Sequence, residues 1–245
     1  EEVIPFSDVD VKNEDVSGER THLLLVEDDV DLLTVMTKVL SKQFKVSTAV
    51  NGKEAFKVLK ENEDIDIVIT DYVMPEMNGI ELCRVIRNDI ALNHLPIVML
   101  TAKTQAEYHL EGYDAGADAY ITKPVEMVLL TAQIKALIAN RKLLVQKYRQ
   151  QDTLDVRELG LSVLEREFLD RAISIVEQQL EDSEFSNEVF CDMMNMTQST
   201  LYRKLKSLTG MSPNEFIRDI RIKKACVLLQ QRPDLQVSDV AYMVG

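Results

Sequence analysis

Between residues 22 and 150, short apolar runs alternate with longer amphipathic stretches. The apolar runs hold about five or six residues and are rich in β-branched side chains, which is typical of buried strands, whereas the stretches between them have helical periodicity. This alternation predicts an α/β fold, a doubly wound parallel sheet with helices on both faces. We predict strands at His22–Val26, Lys45–Val50, Ile65–Thr70, Leu95–Leu100 and Ala117–Thr122, and helices at Val30–Gln43, Lys53–Glu61, Gly79–Asn88, Thr104–Ala115 and Val125–Gln150.

Polar side chains stand where the predicted strands end. Glu27 and Asp28 follow the first strand, Asp71 the third, Thr101 the fourth and Lys123 the fifth. The carboxyl ends of parallel strands meet at one edge of the sheet, so we expect these side chains to converge there. Carboxylates about 4 Å apart repel by roughly 4 kcal/mol per pair, so a cation must lie among them. Mg²⁺ suits this set of oxygen ligands, and Lys123 supplies a second positive charge.

Four ordered motifs carry a family resemblance. The runs LLLVEDD (residues 23–29) and TDYVMPEMNG (residues 70–79), followed by Thr101-Ala102 and Lys123-Pro124, closely resemble the receiver domain of two-component response regulators. The resemblance covers about residues 21–140. It implies a flavodoxin-like fold with five parallel strands in the order 2-1-3-4-5.

The resemblance also implies a role for each acidic residue. Asp71 is the carboxylate that accepts a phosphoryl group from the phosphohistidine of a histidine kinase. Glu27 and Asp28 form the acidic pair that binds Mg²⁺, Asp28 directly and Glu27 through water. Asp71 and the backbone carbonyl of Val73 complete the protein's share of the metal ligands.

Three further residues match the family's polar and switch positions. Lys123, together with the metal, neutralises charge on the phosphoryl oxygens during transfer. The hydroxyl of Thr101 binds a phosphoryl oxygen once one is present, and Tyr120 occupies the position of the switch aromatic that follows its movement. Phosphorylation adds about −1.5 to −2 charge, which is enough to drive such a rearrangement.

Each of these residues also has a purely structural interpretation. Asp28 and Asp29 can cap a helix that begins at Val30, since carboxylates favour a helix N-terminus. Asp71 alone can be a turn residue, and Tyr120 alone can be partly buried packing. The joint occurrence of the four motifs favours the receiver interpretation.

One segment suggests an enzymatic alternative. Residues 64–68, DIDIV, fit the aspartate pattern of haloacid-dehalogenase phosphatases. In that family the aspartates follow a strand, whereas here the apolar run follows them. We therefore predict that this chain is not an enzyme beyond its own phosphoryl acceptance, and that any kinase in the same polypeptide lies outside it.

After Leu161 the apolar periodicity is helical throughout. Two short helices around a tight turn at residues 195–197 predict a helix-turn-helix. Leu201, Leu205 and Leu208 form one apolar stripe on the second of them. We predict helices at Val163–Glu181, Val189–Met194, Gln198–Leu208 and Asn214–Gln230.

The polar face of the second short helix carries residue types suited to a DNA major groove, where Arg binds guanine and Lys meets phosphate. The segments TQSTLYRKLK (197–206), TGMSP (209–213) and RIKKA (221–225) resemble the AraC-type DNA-binding module, which has two helix-turn-helix units. Residues 237–245 resemble only the first helix of the second unit, so the module is incomplete. By this resemblance the candidate DNA contacts are Gln198, Ser199, Thr200, Tyr202, Arg203 and Lys206.

The net charge of −13 would disfavour DNA binding if it were evenly distributed. It is uneven, because residues 196–232 hold eight Lys and Arg against two acidic residues, a net charge of +6. The three scattered cysteines support neither a disulfide framework nor a zinc site. No apolar run approaches the roughly 18 residues that span a bilayer. We therefore expect a cytoplasmic segment that makes no membrane contact.

We expect an acidic linker at 1–20, a receiver domain at 21–140, a helical linker at 141–160 and an incomplete AraC-type domain at 161–245. This organisation predicts a phosphorylation-dependent transcriptional regulator whose partners are a histidine kinase and promoter DNA, with homodimerisation left open. A receiver followed by an AraC-type module, without an initiator Met, resembles the C-terminal part of a hybrid sensor, and the parent chain of such a sensor can be anchored in the inner membrane. The alternative is a stand-alone response regulator that has been trimmed. A further alternative is a signalling adaptor whose helical domain binds protein rather than DNA.

Overall fold

A computed structural model describes residues 20–102, 116–150, 156, 159–232 and 234–245. The predicted helix at residues 104–115 and nearly all of the predicted acidic linker lie outside the described residues. No helix in the described part of the chain is both long enough and apolar enough to cross a membrane.

Five parallel strands form a single sheet in the order β2-β1-β3-β4-β5, which confirms the predicted fold class. The third, fourth and fifth strands each begin two residues later than predicted. Pro96 has no amide hydrogen to donate, so the β4 ladder starts after it. Asp66 accepts the backbone amide of His22 through its carboxylate at 2.8 Å, which replaces a ladder bond at the start of β3. The strands are β1 (His22–Val26), β2 (Lys45–Ala49), β3 (Ile67–Asp71), β4 (Ile97–Thr101) and β5 (Ala119–Thr122).

Helices cover both faces of this sheet. One face is packed by Leu82 and Ile86 of α3 and Leu59 of α2, the other by Met36 of α1 and Leu130 of α4. Side chains that accept backbone amides begin the first three helices, as expected for N-caps. The helices are α1 (Val30–Leu40), α2 (Gly52–Glu61), α3 (Gly79–Asn88) and α4 (Met127–Gln150).

The rest of the described chain is helical, in agreement with the sequence. Between α6 and α7 the chain turns at Asn195, whose φ of 57° and ψ of 47° are left-handed, and Thr197 caps α7. This is the predicted helix-turn-helix. The helices are α5 (Val163–Gln178), α6 (Asn187–Met194), α7 (Gln198–Thr209), α8 (Pro213–Gln231) and α9 (Val237–Met243).

Helix α4 belongs to two hydrophobic cores. Its first half buries Leu130 and Ile134 against the sheet. Its last turns bury Tyr148 in the core of the helical region, where the ring stacks on Phe216 with centroids 6.3 Å apart. Residues 141–150, predicted as the start of a helical linker, continue α4 without a break, and Tyr148 anchors them in the core of the helical region.

Candidate functional site

Three carboxylates converge at the carboxyl edge of the sheet. Oxygen atoms of Glu27, Asp28 and Asp71 all lie within 4.8 Å of one another. Asp29 has a different role, since its Oδ1 accepts the amides of Asp31 at 3.0 Å and Leu32 at 3.1 Å and so caps α1. The acidic run after β1 thus divides into two residues directed to the cluster and one helix cap.

Lys123 joins the carboxylates from the end of β5. Its Nζ donates to Glu27 Oε2 at 2.8 Å and Oε1 at 3.1 Å, and lies 2.9 Å from Asp71 Oδ2. The other oxygen of Asp71 accepts the backbone amide of Tyr72 at 2.7 Å. Both oxygens of Asp71 are therefore held by donors, which fixes the orientation of this carboxylate.

Burial and the charge pairs act on the pKa values of Glu27 and Lys123. Burial raises the pKa of Glu27, the hydrogen bond from Lys123 opposes this, and the charges of Asp71 and Asp28 add to the rise, so the pKa lies above its usual value. Burial alone would lower the pKa of Lys123, but the hydrogen bonds and charges of Glu27 and Asp71 outweigh it and the pKa is raised. Lys123 therefore holds its proton more tightly than an exposed lysine, and Glu27 binds its proton more readily than an exposed glutamate.

Gly79 is a residue of this site that sequence reasoning did not identify. A Cβ at Gly79 would lie 2.1 Å from the carbonyl oxygen of Asp71, and the Gly79 amide donates to Tyr72 O at 3.1 Å. Any side chain would push the strand end that carries Asp71. The Asn78-Gly79 pair could have indicated this residue, but such pairs are common in ordinary turns.

The remaining predicted residues lie on β4, on β5 and in the loop after β3. Thr101 is buried at the end of β4, where its carbonyl accepts the Lys123 amide at 2.7 Å, and the Lys123–Pro124 peptide is cis. Tyr120 is half-buried and packs against the core on the α2–α3 face. Val73 stands in the loop after β3 with an exposed side chain.

The donor set of the cluster fits a hard divalent cation. Three carboxylates share one ammonium group, so negative charge remains in excess. The ligands are oxygen atoms, and Asp28 is exposed and open to solvent, which suits an ion such as Mg²⁺ that keeps some of its waters.

The aspartates of the phosphatase-like segment lie elsewhere. Asp66 immediately precedes β3, and Asp64 Oδ2 lies 3.0 Å from His22 Nδ1, at the start of β1. They are at the amino edge of the sheet, opposite the carboxylate cluster, and share no site with it.

The predicted DNA-contacting residues lie on α7, but they are not equivalent. Gln198, Ser199, Tyr202 and Lys206 are exposed and Thr200 is half-buried. Arg203 is held within the protein: its Nη2 donates to Asn62 O at 2.8 Å and its Nη1 to Leu59 O at 3.4 Å. In this arrangement its guanidinium is not available to a base.

Most cations of the positively charged window have partners inside the protein. Arg221 donates to the carbonyls of Gly245 and Asp182, Lys223 pairs with Asp219, and Lys224 pairs with Glu177. Within the residues that the structure describes, Lys206 and Arg218 are exposed and make no hydrogen bond or ion pair. The net charge of +6 thus overstates the positive charge available to a ligand.

Comparison with known proteins covers both parts of the chain. The family described as response regulator receiver domain matches residues 23–135, and the family described as helix-turn-helix domain matches residues 190–245. Histidine kinase P4 of Formosa agariphila is 33% identical over 245 residues, which is 100% of this chain but 18% of that protein's length. Regulatory protein VanRB of Enterococcus faecalis is 30% identical over 210 residues, 81% of this chain and 94% of that protein.

Among solved structures, the signal receiver domain of a signal transduction histidine kinase from Syntrophus aciditrophicus covers 49% of this chain and 90% of its own, at 30% identity and a TM-score of 0.46. The sheet order, the acidic edge and the attached helix-turn-helix define a receiver-type signalling protein. The chain belongs to the response regulators, and both the receiver and the AraC-type resemblance are confirmed.

Proposed function

We propose that this chain is the phosphorylation-controlled transcriptional regulator of a two-component phosphorelay. The observation that carries the proposal is the position of Lys123 Nζ between Glu27 and Asp71, at the sheet edge of a chain that also contains a helix-turn-helix domain. Proteins of this family join a receiver to a DNA-binding module, so a histidine kinase is the phosphodonor and promoter DNA the target.

In this proposal an oxygen of Asp71 attacks the phosphorus of a phosphohistidine. A P–O bond forms, the P–N bond breaks, and the histidine nitrogen leaves with its electron pair. Glu27, Asp28 and Asp71 would hold Mg²⁺ together with the carbonyl of Val73, as the family resemblance implies, and the bound ion would neutralise charge on the phosphoryl group. Lys123 supplies a second positive charge. Thr101 donates its hydroxyl to a phosphoryl oxygen, and Tyr120 follows the movement of Thr101.

The output in this proposal is sequence-specific binding through α7. Its exposed residues Gln198, Ser199, Tyr202 and Lys206 would meet base edges and phosphates, and Arg203 would join them once released from Asn62 and Leu59. The full alignment with Histidine kinase P4 supports a kinase in the same polypeptide, whereas the near-complete coverage of VanRB supports a separate kinase. Sequencing the gene upstream of Glu1 distinguishes these two arrangements.

Phosphorylation at Asp71 is tested by incubating the chain with phosphoramidate and Mg²⁺ and measuring its intact mass. We expect one phosphoryl group per chain, none after chelation with EDTA, and none in Asp71→Asn. Asp64→Asn, at the opposite sheet edge, is the matched control and should retain phosphorylation. Undiminished phosphorylation of Asp71→Asn, or repeated turnover of small phosphate esters, would refute the proposed site.

A further inference from the structure

The contact between α7 and the receiver domain provides Arg203 with hydrogen-bond acceptors within the protein. The two carbonyl oxygens that accept its guanidinium, those of Leu59 and Asn62, belong to the last turn and C-cap of α2. The final carbonyls of a helix have no intrahelical donor and carry the negative end of the helix dipole. An arginine is therefore a natural cap for this end of α2.

Acidic side chains surround the same point. Glu63, Asp64 and Asp89 are the charges that favour the ionised form of Arg203, although burial lowers its pKa more strongly. Glu63 and Asp66 also line a cleft of about 280 Å³ whose other wall includes Tyr202 and Lys206 of α7. The receiver domain thus presents backbone oxygens and carboxylates to the face of α7 that carries the candidate DNA contacts.

The adjacent residue of α7 is buried by the same contact. Lys204 is fully buried, its Nζ donates to Asn93 Oδ1 of the receiver domain and lies 6.0 Å from the ring centroid of Phe168. Burying an ammonium group is costly unless it is fully paired. A second cleft, of about 340 Å³, borders the contact beside Asn93. The contact therefore has specific hydrogen bonds, but it is loosely packed and burial of the Lys204 ammonium group costs free energy. These properties suit an interface whose two sides can separate.

We propose that this surface of the receiver domain, formed by the Leu59 and Asn62 carbonyls, Glu63, Asp66 and Asn93, is a docking surface for α7 that competes with DNA. The proposal rests on the proposed function, since it requires that α7 binds DNA. A bidentate contact to guanine uses the same guanidinium nitrogen atoms that Leu59 and Asn62 occupy. A helix must also enter a major groove about 12 Å wide to read bases, and the receiver backbone at hydrogen-bond distance leaves no room for a duplex.

The docking surface lies at the opposite sheet edge from Asp71, and α4 connects the two. This helix follows the Lys123–Pro124 peptide and ends beside α7, where Arg149 Nε donates to Thr209 O at 3.2 Å and Nη2 to Gly210 O at 2.5 Å. A movement of α4 against the sheet would therefore carry the C-terminal end of α7 with it. Displacement of α7 from the docking surface is the step that would free Arg203.

The test uses the full chain and two variants with the same charge change. Glu63→Lys places a cation in the docking surface, whereas Glu61→Lys places it on α2 outside the cleft. Modification by phenylglyoxal, read by peptide mass spectrometry, reports the accessibility of Arg203 relative to exposed Arg84 without requiring DNA. Fluorescence anisotropy with a labelled mixed-sequence duplex at low salt then measures DNA affinity.

We expect Arg203 to be protected in the parent chain and in Glu61→Lys, and as reactive as Arg84 in Glu63→Lys. We also expect Glu63→Lys to bind the duplex about tenfold more tightly than Glu61→Lys, within the range of ordinary coupling between sites. An Arg203 as reactive as Arg84 in the parent chain would overturn the docking surface. Exposure of Arg203 with equal duplex affinity of both variants would overturn the competition, and the absence of duplex binding by every form would instead refute the proposed DNA-binding function.

Discussion

The ammonium nitrogen of Lys123 lies 2.9 Å from Asp71 Oδ2, although the two residues end different strands, β5 and β3. Strand β4 lies between them, so only the shared carboxyl edge of the parallel sheet brings them together. This pair sets the charge balance of the candidate phosphorylation site.

We expect Lys123→Met to slow phosphorylation of Asp71 by phosphoramidate about 100-fold, because removing one preorganised group that stabilises developing charge commonly costs that much. The rate is measured by intact mass over time at saturating Mg²⁺. Lys45→Met, an exposed lysine at the amino edge that pairs with Asp64, is the control and should leave the rate unchanged. Equal rates in both variants would contradict a role for Lys123 in transfer.

Mg²⁺ should stabilise the protein less as the pH falls. The pKa of Glu27 is raised by burial, so Glu27 retains its proton at a higher pH than an exposed glutamate, and the protonated form is a poor metal partner. At 100 times its dissociation constant a ligand adds about 2.7 kcal/mol to the free energy of unfolding. We expect the increase in Tm caused by Mg²⁺ to shrink between about pH 7.5 and pH 5, measured by thermal denaturation with and without EDTA.

Without metal, the contribution of Glu27 to the free energy of unfolding changes with pH in the opposite direction. Its raised pKa means that the folded protein binds this proton more tightly than the unfolded chain, so its contribution to stability increases as the pH falls through the raised value toward the usual one. Glu27→Gln carries no titrating proton and is the control. If the increase in Tm caused by Mg²⁺ depended on pH in Glu27→Gln as it does in the parent chain, Glu27 would not be the titrating group.

Tyr148 should be essential to the helical region although it lies on α4. The side chain is buried against Phe216, and its hydroxyl has no hydrogen-bond partner among the described residues. We expect Tyr148→Ala to reduce the free energy of unfolding by about 3–5 kcal/mol. Tyr148→Phe keeps the ring and should change it by less than about 1 kcal/mol. Urea denaturation checks both, and equal effects of the two substitutions would show that ring packing is not the cause.

Docking of α7 should strengthen as the pH rises. Burial lowers the pKa of Lys204 to about 7, so the docked form holds fewer protons than a form in which Lys204 is in solvent, and it is favoured as the pH increases from about 7 toward the usual lysine value. Between about pH 8 and 9 the docking equilibrium should change about tenfold. The ratio of Arg203 to Arg84 modification by phenylglyoxal measures it.

The groups that act on Lys204 come from several elements: Glu165, Arg141, Arg87 and Asp89, with His94 beside them. Lys204→Met removes the titrating group and keeps the length of the side chain. We therefore expect a flat ratio of modification in this variant. A pH dependence that persists in Lys204→Met would assign the effect to one of the neighbouring groups.

The sequence alone determined the sheet and its acidic edge. Parallel strands place their carboxyl ends together whatever packs around them, so the positions of Glu27, Asp71 and Lys123 after successive apolar runs were sufficient to predict their convergence. The helix-turn-helix was equally local, because its caps, its turn and its leucine stripe lie within residues 186–210.

Only the tertiary structure decided which polar groups are already occupied. The family resemblance assigned Asp28 to the metal, but the residues alone allowed both Asp28 and Asp29 to cap the helix at Val30, and the structure shows that Asp29 is the cap. Sequence placed Arg203 on the polar face of α7 and residues 141–150 in a helical linker, but it could not show that Arg203 caps α2 or that Tyr148 is buried in the helical core. Periodicity shows which face of a helix is apolar, but the partner of its polar face comes from a distant part of the chain, and only the assembled fold brings the two together.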